Sequence, residues 1–182
     1  MRLRLRNESG FGLIELLMAM VVLNIGILAI VAAFNSGLVA LGRSSRISTG
    51  AALADAQMEQ YRALTWDSIG LASSSIPSTS PYTTDPAYSA SQVTITCSGS
   101  PLPNECNASR SVTGPDHKKY RVDTYIVLST ATTNPPTPTG GRAVKIVTVV
   151  VRDGNNLTAR PYAREASTFD QSTGSVTVNP GT

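Results

Sequence analysis

The first part of the chain contains a long apolar run. From Phe11 to Phe34 there are 24 residues, and Glu15 is the only ionisable one among them. At about 1.5 Å per residue, a helix of this length reaches roughly 36 Å, whereas the hydrocarbon core of a bilayer is about 30 Å thick. All 11 prolines lie from Pro77 onward, so no proline interrupts a helix over residues 11–69. The pattern predicts a membrane-spanning helix that continues beyond Phe34.

The pattern beyond Phe34 changes from uniformly apolar to one-sided. Apolar side chains recur every three or four residues, at Ile47, Ala51, Ala54, Met58, Tyr61 and Leu64. Charged side chains occupy the other side, at Asp55, Glu59 and Arg62. This spacing is typical of a helix that packs one face against a sheet. We expect Trp66 and Ile69 to complete that contact and Gly70 to end the helix.

The remainder of the chain predicts a loop and then strands. Residues 70–91 are rich in Ser, Thr and Pro, which favours a surface loop, with O-linked sugars as an alternative use. Strand patterns occur at residues 92–97, 118–129, 141–154 and 175–179. Residues 130–141 predict the loop of an antiparallel pair, and residues 153–156 a turn into a further strand near Leu157. Pro161 makes that strand an edge or bulged one. The expected fold class is α+β, with a long N-terminal helix packed on a small antiparallel β-sheet.

The positive charge of the chain is concentrated at its N-terminus. Arg2, Arg4 and Arg6 against Glu8 give residues 1–10 a net +2 of the formal +3. Later basic residues are interleaved with acidic ones, so the charge does not indicate nucleic acid. By the positive-inside rule the short basic tail stays in the cytoplasm. We expect a single-pass inner-membrane protein with a cytoplasmic N-terminus and an extracytoplasmic C-terminal domain.

The junction between the basic tail and the apolar run resembles the N-terminal signal of type IV pilins and pseudopilins. Ser9-Gly10 is followed there by Phe-Gly-Leu-Ile-Glu-Leu-Leu, residues 11–17. The resemblance implies that a prepilin peptidase cuts between Gly10 and Phe11, that the new amine is methylated, and that Glu15 becomes the fifth mature residue. It also implies an inner-membrane assembly platform, other pilin subunits and membrane lipid as partners. The finished subunit would then lie in a pilus or pseudopilus.

The position of Glu15 has a physical reason under this resemblance. A carboxylate near the membrane edge reaches the interface, but among packed apolar helices it needs a cation. An α-amino group has a pKa near 8, so the freed amine of Phe11 is charged at neutral pH. The resemblance implies that Glu15 pairs with the Phe11 amine of a neighbouring subunit. The alternative is an uncleaved signal anchor, in which Glu15 is only an interfacial residue.

Several features depart from the pattern of the family. Gly12 replaces the Thr that often follows the first mature Phe, and the anchor lacks the proline found in many major pilins. Asn24 and Gly37 weaken a helix less than proline does. We expect Asn24 to bond with its own backbone or across a helix contact.

The chain is therefore expected to have four parts, which are a leader (1–10), a transmembrane and polymerisation helix (11–34), its amphipathic continuation (35–69) and a globular domain (70–182). The segment 147–163 loosely resembles PilV-like minor pilins. The presence of Glu15 argues against the tip pseudopilin, which lacks this carboxylate. Other pseudopilins of type II secretion, a major pilin and a DNA-uptake pilin stay open.

The two cysteines, Cys97 and Cys106, have eight residues between them. They are too few for a structural zinc site, and an oxidising compartment favours a disulfide. Such a bond predicts a staple at a sheet edge, with a recognition loop as the alternative.

Candidate catalytic groups are sparse. His117 is the only histidine, and it falls in a predicted turn beside charged residues. No Ser, His and acid arrangement, phosphate loop or His and carboxylate cluster stands out. Asp153 and the asparagines after it fit a turn as well as they fit calcium. We expect a structural protein with no enzyme activity, cofactor or metal.

Overall fold

The computed structural model describes residues 12–130 and 143–171. Helix α1 spans Leu13–Arg62, and four strands follow, which are β1 Ser109–Thr113, β2 Lys119–Thr130, β3 Ala143–Asp153 and β4 Ala163–Asp170. Short 3-10 helices cover Trp66–Ser68, Ser73–Ser75 and Asn104–Cys106. The chain divides into an N-terminal unit, Met1–Ser44, and a C-terminal unit, Ser45–Thr182.

The N-terminal unit contains the apolar part of α1. Every described residue of this unit is exposed, although most of them are apolar. Leu, Ala and Met are strong helix formers, and the glycines of this stretch do not interrupt α1. The side-chain amide of Asn24 donates to the carbonyl oxygen of Met20 at 3.0 Å. Asn24 is therefore satisfied by its own backbone, the first of the two expectations.

The C-terminal unit contains a four-stranded antiparallel sheet in the order β1-β2-β3-β4. On β2, Tyr120 lies opposite Val112 of β1 and Asp153 of β3, and Val147 of β3 lies opposite Ser167 of β4. The predicted antiparallel pair is confirmed as β2 and β3. A helix packed on such a sheet is the α+β, pilin-like arrangement that the sequence predicted. The predicted strand at residues 175–179 and all but the first residue of the loop at 130–141 lie outside the described residues.

One face of α1 packs on this sheet, and its identity was only partly predicted. Ala54, Met58 and Tyr61 are buried, as expected. Ile47 and Ala51 are exposed, so their assignment to this face was wrong, and Gly50 and Gln57 are buried instead. A Cβ atom on Gly50 would lie 2.8 Å from the Cβ of Tyr162. The helix thus approaches the sheet so closely here that only glycine fits.

Strand β3 has buried side chains on both faces, which explains its run of valines. Val147, Val149 and Val151 lie on the α1 side. On the opposite side, residues 76–93, which we call the outer segment, contact β3 through Asp85 and Arg152, whereas Ile146 is 37% exposed. Tyr82 of the outer segment stacks on Tyr125 of β2 with ring centroids 4.4 Å apart, and its hydroxyl donates to a β2 carbonyl at 2.7 Å. Burial raises the pKa of Tyr82. The predicted loop between helix and sheet is confirmed, but its position at the surface was wrong, because Tyr82 and Asp85 are buried.

A buried carboxylate fastens the outer segment to the sheet. The side chain of Asp85 is 1% exposed, and Arg164 donates to its two oxygens at 2.9 and 2.7 Å. Arg152 also donates to Asp85, and its Nε lies 3.3 Å from Oδ2 of Asp123. Burial alone would raise the pKa of Asp85, but the hydrogen bonds from Arg164 and from the backbone of Ala87 lower it below the usual value.

Helix α1 ends at Arg62, eight residues before Gly70, where the sequence predicted its end. The chain becomes extended at Thr65 and forms the turn Trp66–Ser68. The buried ammonium of Lys145 donates to the carbonyl oxygens of Trp66 and Ile69 at 2.7 and 2.8 Å. These carbonyl groups are thereby satisfied without a further helical turn, and Ile69 still reaches the core.

The strand predicted at residues 92–97 is reduced to isolated bridges, so that prediction was wrong. The N–H of Val93 donates to Ile126 on β2, whereas its carbonyl accepts from Leu71. Each pairing is a single bridge, Gln92 with Val127 and Thr94 with Leu71, so no continuous ladder forms. No pattern predicted β1, since Ser-Arg-Ser-Val-Thr is mainly polar.

The last described strand, β4, begins at Ala163 and not near Leu157. The carboxylate of Asp153 accepts from the N–H groups of Asn155 and Asn156, which extends the turn. Pairing resumes after Pro161, where the N–H of Tyr162 donates to Val151 at 2.8 Å. In the described sheet β4 is an edge strand, as Pro161 indicated.

The disulfide between Cys97 and Cys106 closes a loop that is anchored to α1. The Tyr61 hydroxyl donates to the carbonyl of Glu105 at 2.6 Å, and the Gln57 amide donates to that of Asn104 at 3.3 Å. Burial raises the pKa of Tyr61 to about 12, so this hydroxyl remains a donor at neutral pH. The disulfide therefore joins the Cys97 end of this loop to the Cys106 end, which α1 already holds.

We expect Asp85→Asn to lower the free energy of unfolding by about 3 kcal/mol at pH 7, since it removes the buried carboxylate that pairs with both Arg152 and Arg164. The folded-state pKa of Asp85 is lowered, so its contribution is present above the unfolded pKa near 4 and is lost as the pH falls through the folded pKa. The difference between wild type and variant should therefore shrink in acid. Urea unfolding of the detergent-solubilised chain, followed by the fluorescence of Trp66, measures this. Asp55→Asn, at a side chain that is 68% exposed, is the control and should change stability by less than about 0.5 kcal/mol. Equal stability of the two variants would contradict the role of Asp85.

We expect the double variant Cys97→Ser and Cys106→Ser to lose roughly 2.5 to 3 kcal/mol, the loop-closure entropy of so short a loop. The same denaturation experiment measures it. Wild-type protein kept in reductant should reproduce the loss. If reductant and the double variant both leave the urea midpoint unchanged, the disulfide is not a staple.

Candidate functional site

Glu15 lies in the first turn of α1. Its N–H donates to the carbonyl of Gly12 at 2.9 Å, and the N–H of Leu16 donates to the same oxygen at 3.2 Å. The first N–H groups of a helix form its positive end, which favours a carboxylate at this position. The backbone around Gly12 thus places an acidic side chain at the start of the apolar helix.

The predicted cleavage residues, Gly10 and Phe11, lie outside the described residues. The proximity of Glu15 to a freed amine of Phe11 therefore stays a prediction. The other two predicted site residues, Cys97 and Cys106, lie in the C-terminal unit and bond to each other.

The helix around Glu15 is apolar on every side. Leu13 is 78% exposed and Phe34 is 70% exposed, with apolar side chains in all directions between them. Such a helix needs an apolar environment, which only a bilayer or other helices provide. Within the described residues, α1 is the one helix long and apolar enough to cross a membrane, judged by its length and composition.

One stretch of this helix carries small residues between large apolar ones. A shallow apolar groove is lined by Ile30, Ala33, Phe34, Gly37, Leu38 and Leu41. Ala33 and Gly37 are four residues apart and therefore lie on the same helix face. Small residues at this spacing allow the backbones of two helices to approach closely in an apolar medium.

Polar groups of the C-terminal unit are engaged in structure. Both oxygens of Asp153 are used, one by the turn and the other by the hydroxyl of Tyr162 at 2.8 Å. The N–H of Asn155, above all, lowers the pKa of Asp153. His117 is exposed in a turn with φ of 58°. In the described part of the chain, no three His, Cys, Asp or Glu side chains cluster as a metal site would require.

Sequence reasoning missed the role of Asp85. It is the only charged residue between positions 70 and 91, a stretch of Ser, Thr and Pro. A single charge in such a segment was the available signal, because it has to find a partner or stay in water. The pairing with Arg152 and Arg164 could not be inferred, since both lie more than sixty residues away.

Comparison with known proteins gives one result, which concerns the N-terminal region. Residues 5–31 match the family model for the prokaryotic N-terminal methylation motif. Curated proteins and solved structures give no match. The motif implies processing by a prepilin peptidase and assembly with other pilin subunits, and proteins of the type IV pilin-like family are structural. The matched stretch contains Gly10, Phe11 and Glu15, and together with the apolar helix and the antiparallel sheet it supports a type IV pilin-like protein with a class III signal.

Proposed function

We propose that this protein is a minor pilin, a structural subunit of a type IV pilus or a related filament. A prepilin peptidase cuts it between Gly10 and Phe11 and methylates the new terminal amine. The subunit then waits in the inner membrane, with its C-terminal domain outside the cytoplasm. The assembly platform extracts it into the filament through its N-terminal helix.

The observation that carries the proposal is Glu15 at the start of a helix that is otherwise apolar on every side. In the membrane this carboxylate reaches the interface, so anchoring alone tolerates it. In a filament core the same carboxylate would be buried and costly without a cation. The amine of Phe11 from a neighbouring subunit supplies that cation, and each pair fixes the axial position of one subunit against the next.

The proposal assigns no enzyme activity, cofactor or metal to the chain. Its partners are the peptidase and methylase, the assembly platform, membrane lipid and other subunits. The choice of a minor pilin rests on the resemblance of residues 147–163 to such proteins. A pseudopilin of type II secretion shares the N-terminal chemistry. Copurification with the secretion machinery, and not with the pilus machinery, would distinguish it from a minor pilin.

We expect Glu15→Gln to separate processing from assembly. The amide keeps the size of the side chain but removes the charge, so the Phe11 amine is left unpaired in the filament core. Cleavage after Gly10 should continue, whereas the amount of protein in sheared filaments should fall at least about tenfold, equivalent to about 1.4 kcal/mol. Intact mass of the membrane fraction and quantitative blotting of the filament fraction measure the two steps.

The matched control for this experiment is Glu59→Gln, the same chemical change on the exposed side of α1 in the C-terminal unit. It should be processed and assembled as wild type is. Normal incorporation of the Glu15→Gln protein into filaments would contradict the proposed pairing.

A further inference from the structure

A basic cluster lies at the end of the C-terminal unit where α1 enters it. Arg46 is the second residue of that unit. Its Nη1 donates to the hydroxyl of Tyr162 at 3.2 Å and lies 3.6 Å from Oδ2 of Asp153. The hydroxyl of Tyr162 in turn donates to that carboxylate. Arg46 is therefore held against the turn between β3 and β4.

Two lysines join Arg46 from the neighbouring turn. In an antiparallel sheet of order β1-β2-β3-β4, the β1–β2 and β3–β4 turns lie at the same end. The N–H of Gly154 donates to the carbonyl of Lys119 at 2.9 Å, which joins the two turns. Arg46, Lys118 and Lys119 consequently line one recess of about 90 Å³.

The ammonium groups of the two lysines in this cluster are available to a ligand outside the chain. Lys118 and Lys119 are exposed, and in the described part of the chain neither ammonium lies within ion-pair distance of a carboxylate. The two acidic residues nearby are already engaged. Asp153 accepts from the N–H groups of its own turn and from the hydroxyl of Tyr162. Asp116 accepts from the hydroxyl of Tyr120 at 2.7 Å and from the N–H of Lys118 at 3.2 Å. Three cations against two acids leave the cluster net positive.

The chain itself indicates what this cluster meets. The residues before it, Gly-Leu-Val-Ala-Leu-Gly at positions 37–42, are apolar, and Arg43 follows them directly. If the apolar helix lies in the bilayer, the lipid head groups are the surface nearest to Arg46 along the chain. Anionic head groups attract Lys and Arg side chains that lie close to a bilayer surface.

We propose that Arg46, Lys118 and Lys119 bind the phosphate groups of anionic phospholipids while the subunit waits in the membrane before assembly. This inference rests on the proposed function, because it requires the apolar helix to be a membrane anchor. The ligand is the lipid head group and not free phosphate. The contact orients the C-terminal unit on the bilayer surface, and it is released when the subunit leaves the lipid.

The lysines of the chain allow a direct test. Lys118, Lys119 and Lys145 are the only ones, and Lys145 is buried and serves as an internal reference. The full chain is placed in nanodiscs of phosphatidylcholine, with or without phosphatidylglycerol, and labelled with an amine-acylating reagent. Mass spectrometry gives the labelling rate of each lysine. We expect the rates at Lys118 and Lys119 to fall at least about threefold in the anionic discs. They should recover at about 1 M salt, where the Debye length is about 3 Å.

A reporter lysine at Ser74 controls for general effects of the charged surface on the reagent. Ser74 is exposed, and the hydroxyl of its neighbour Ser75 donates to the carbonyl of Cys106. The carbonyl of Glu105, the residue before Cys106, accepts from the hydroxyl of Tyr61. Tyr61 follows Arg46 by 15 residues, about 22 Å along α1, so Ser74 lies far from the basic cluster. The Ser74→Lys side chain should therefore be labelled equally in both kinds of disc.

The labelling results distinguish failure of lipid binding from failure of the membrane anchor. Equal labelling of Lys118 and Lys119 in the two kinds of disc overturns this inference, as does an equal fall at Ser74→Lys. Protection by inorganic phosphate in phosphatidylcholine discs, to the same degree as by the anionic lipid, overturns the assignment to lipid. A chain that does not enter the discs at all overturns the membrane anchor of the proposed function, on which the inference depends.

Discussion

The apolar surface of α1 has to be removed from water in two different ways along one helix. Up to residue 44 every described side chain is exposed and the apolar ones point in all directions, so no single packed face can cover them. From Gly50 onward one face is buried against the sheet and the other is charged. The first part therefore depends on a bilayer or on other helices, whereas the second part is the core element of a domain. Glu15 matters because it is the one charged residue between positions 12 and 42, in the part that the domain does not cover.

The C-terminal unit buries its apolar side chains with little regular structure. Strand β3 packs against α1 on one side and contacts the outer segment on the other, although the outer segment has no long helix or strand. Tyrosine stacking and the buried Asp85 hold that segment in place of backbone ladders. The disulfide loop is fixed in a comparable way, through side chains of α1 that reach backbone carbonyls. Side-chain hydrogen bonds thus replace secondary structure where the chain is rich in Ser, Thr and Pro.

Patterns that depend on neighbouring residues could be predicted from the sequence, and patterns that depend on distant partners could not. The long helix, the β2 and β3 pair and the edge position of β4 follow from apolar periodicity and the placement of proline. Gly50 was missed because its burial reflects contact with Tyr162, more than a hundred residues away. The stretch at residues 92–97 has a strand composition, but its hydrogen bonds go to two partners that local sequence does not reveal. For the candidate site, the motif around Glu15 was visible directly, whereas the basic cluster around Arg46 arises only when two turns meet.

Cleavage of the chain between Gly10 and Phe11 is the step on which the proposed assembly depends most, because it creates the amine that Glu15 requires. Intact mass spectrometry of the full chain, expressed with and without a prepilin peptidase, tests it directly. We expect the peptidase to remove residues 1–10 and the product to carry one methyl group on the amine of Phe11. A chain that keeps Met1 to Gly10 under both conditions would contradict the account and leave Glu15 as an interfacial residue of a signal anchor.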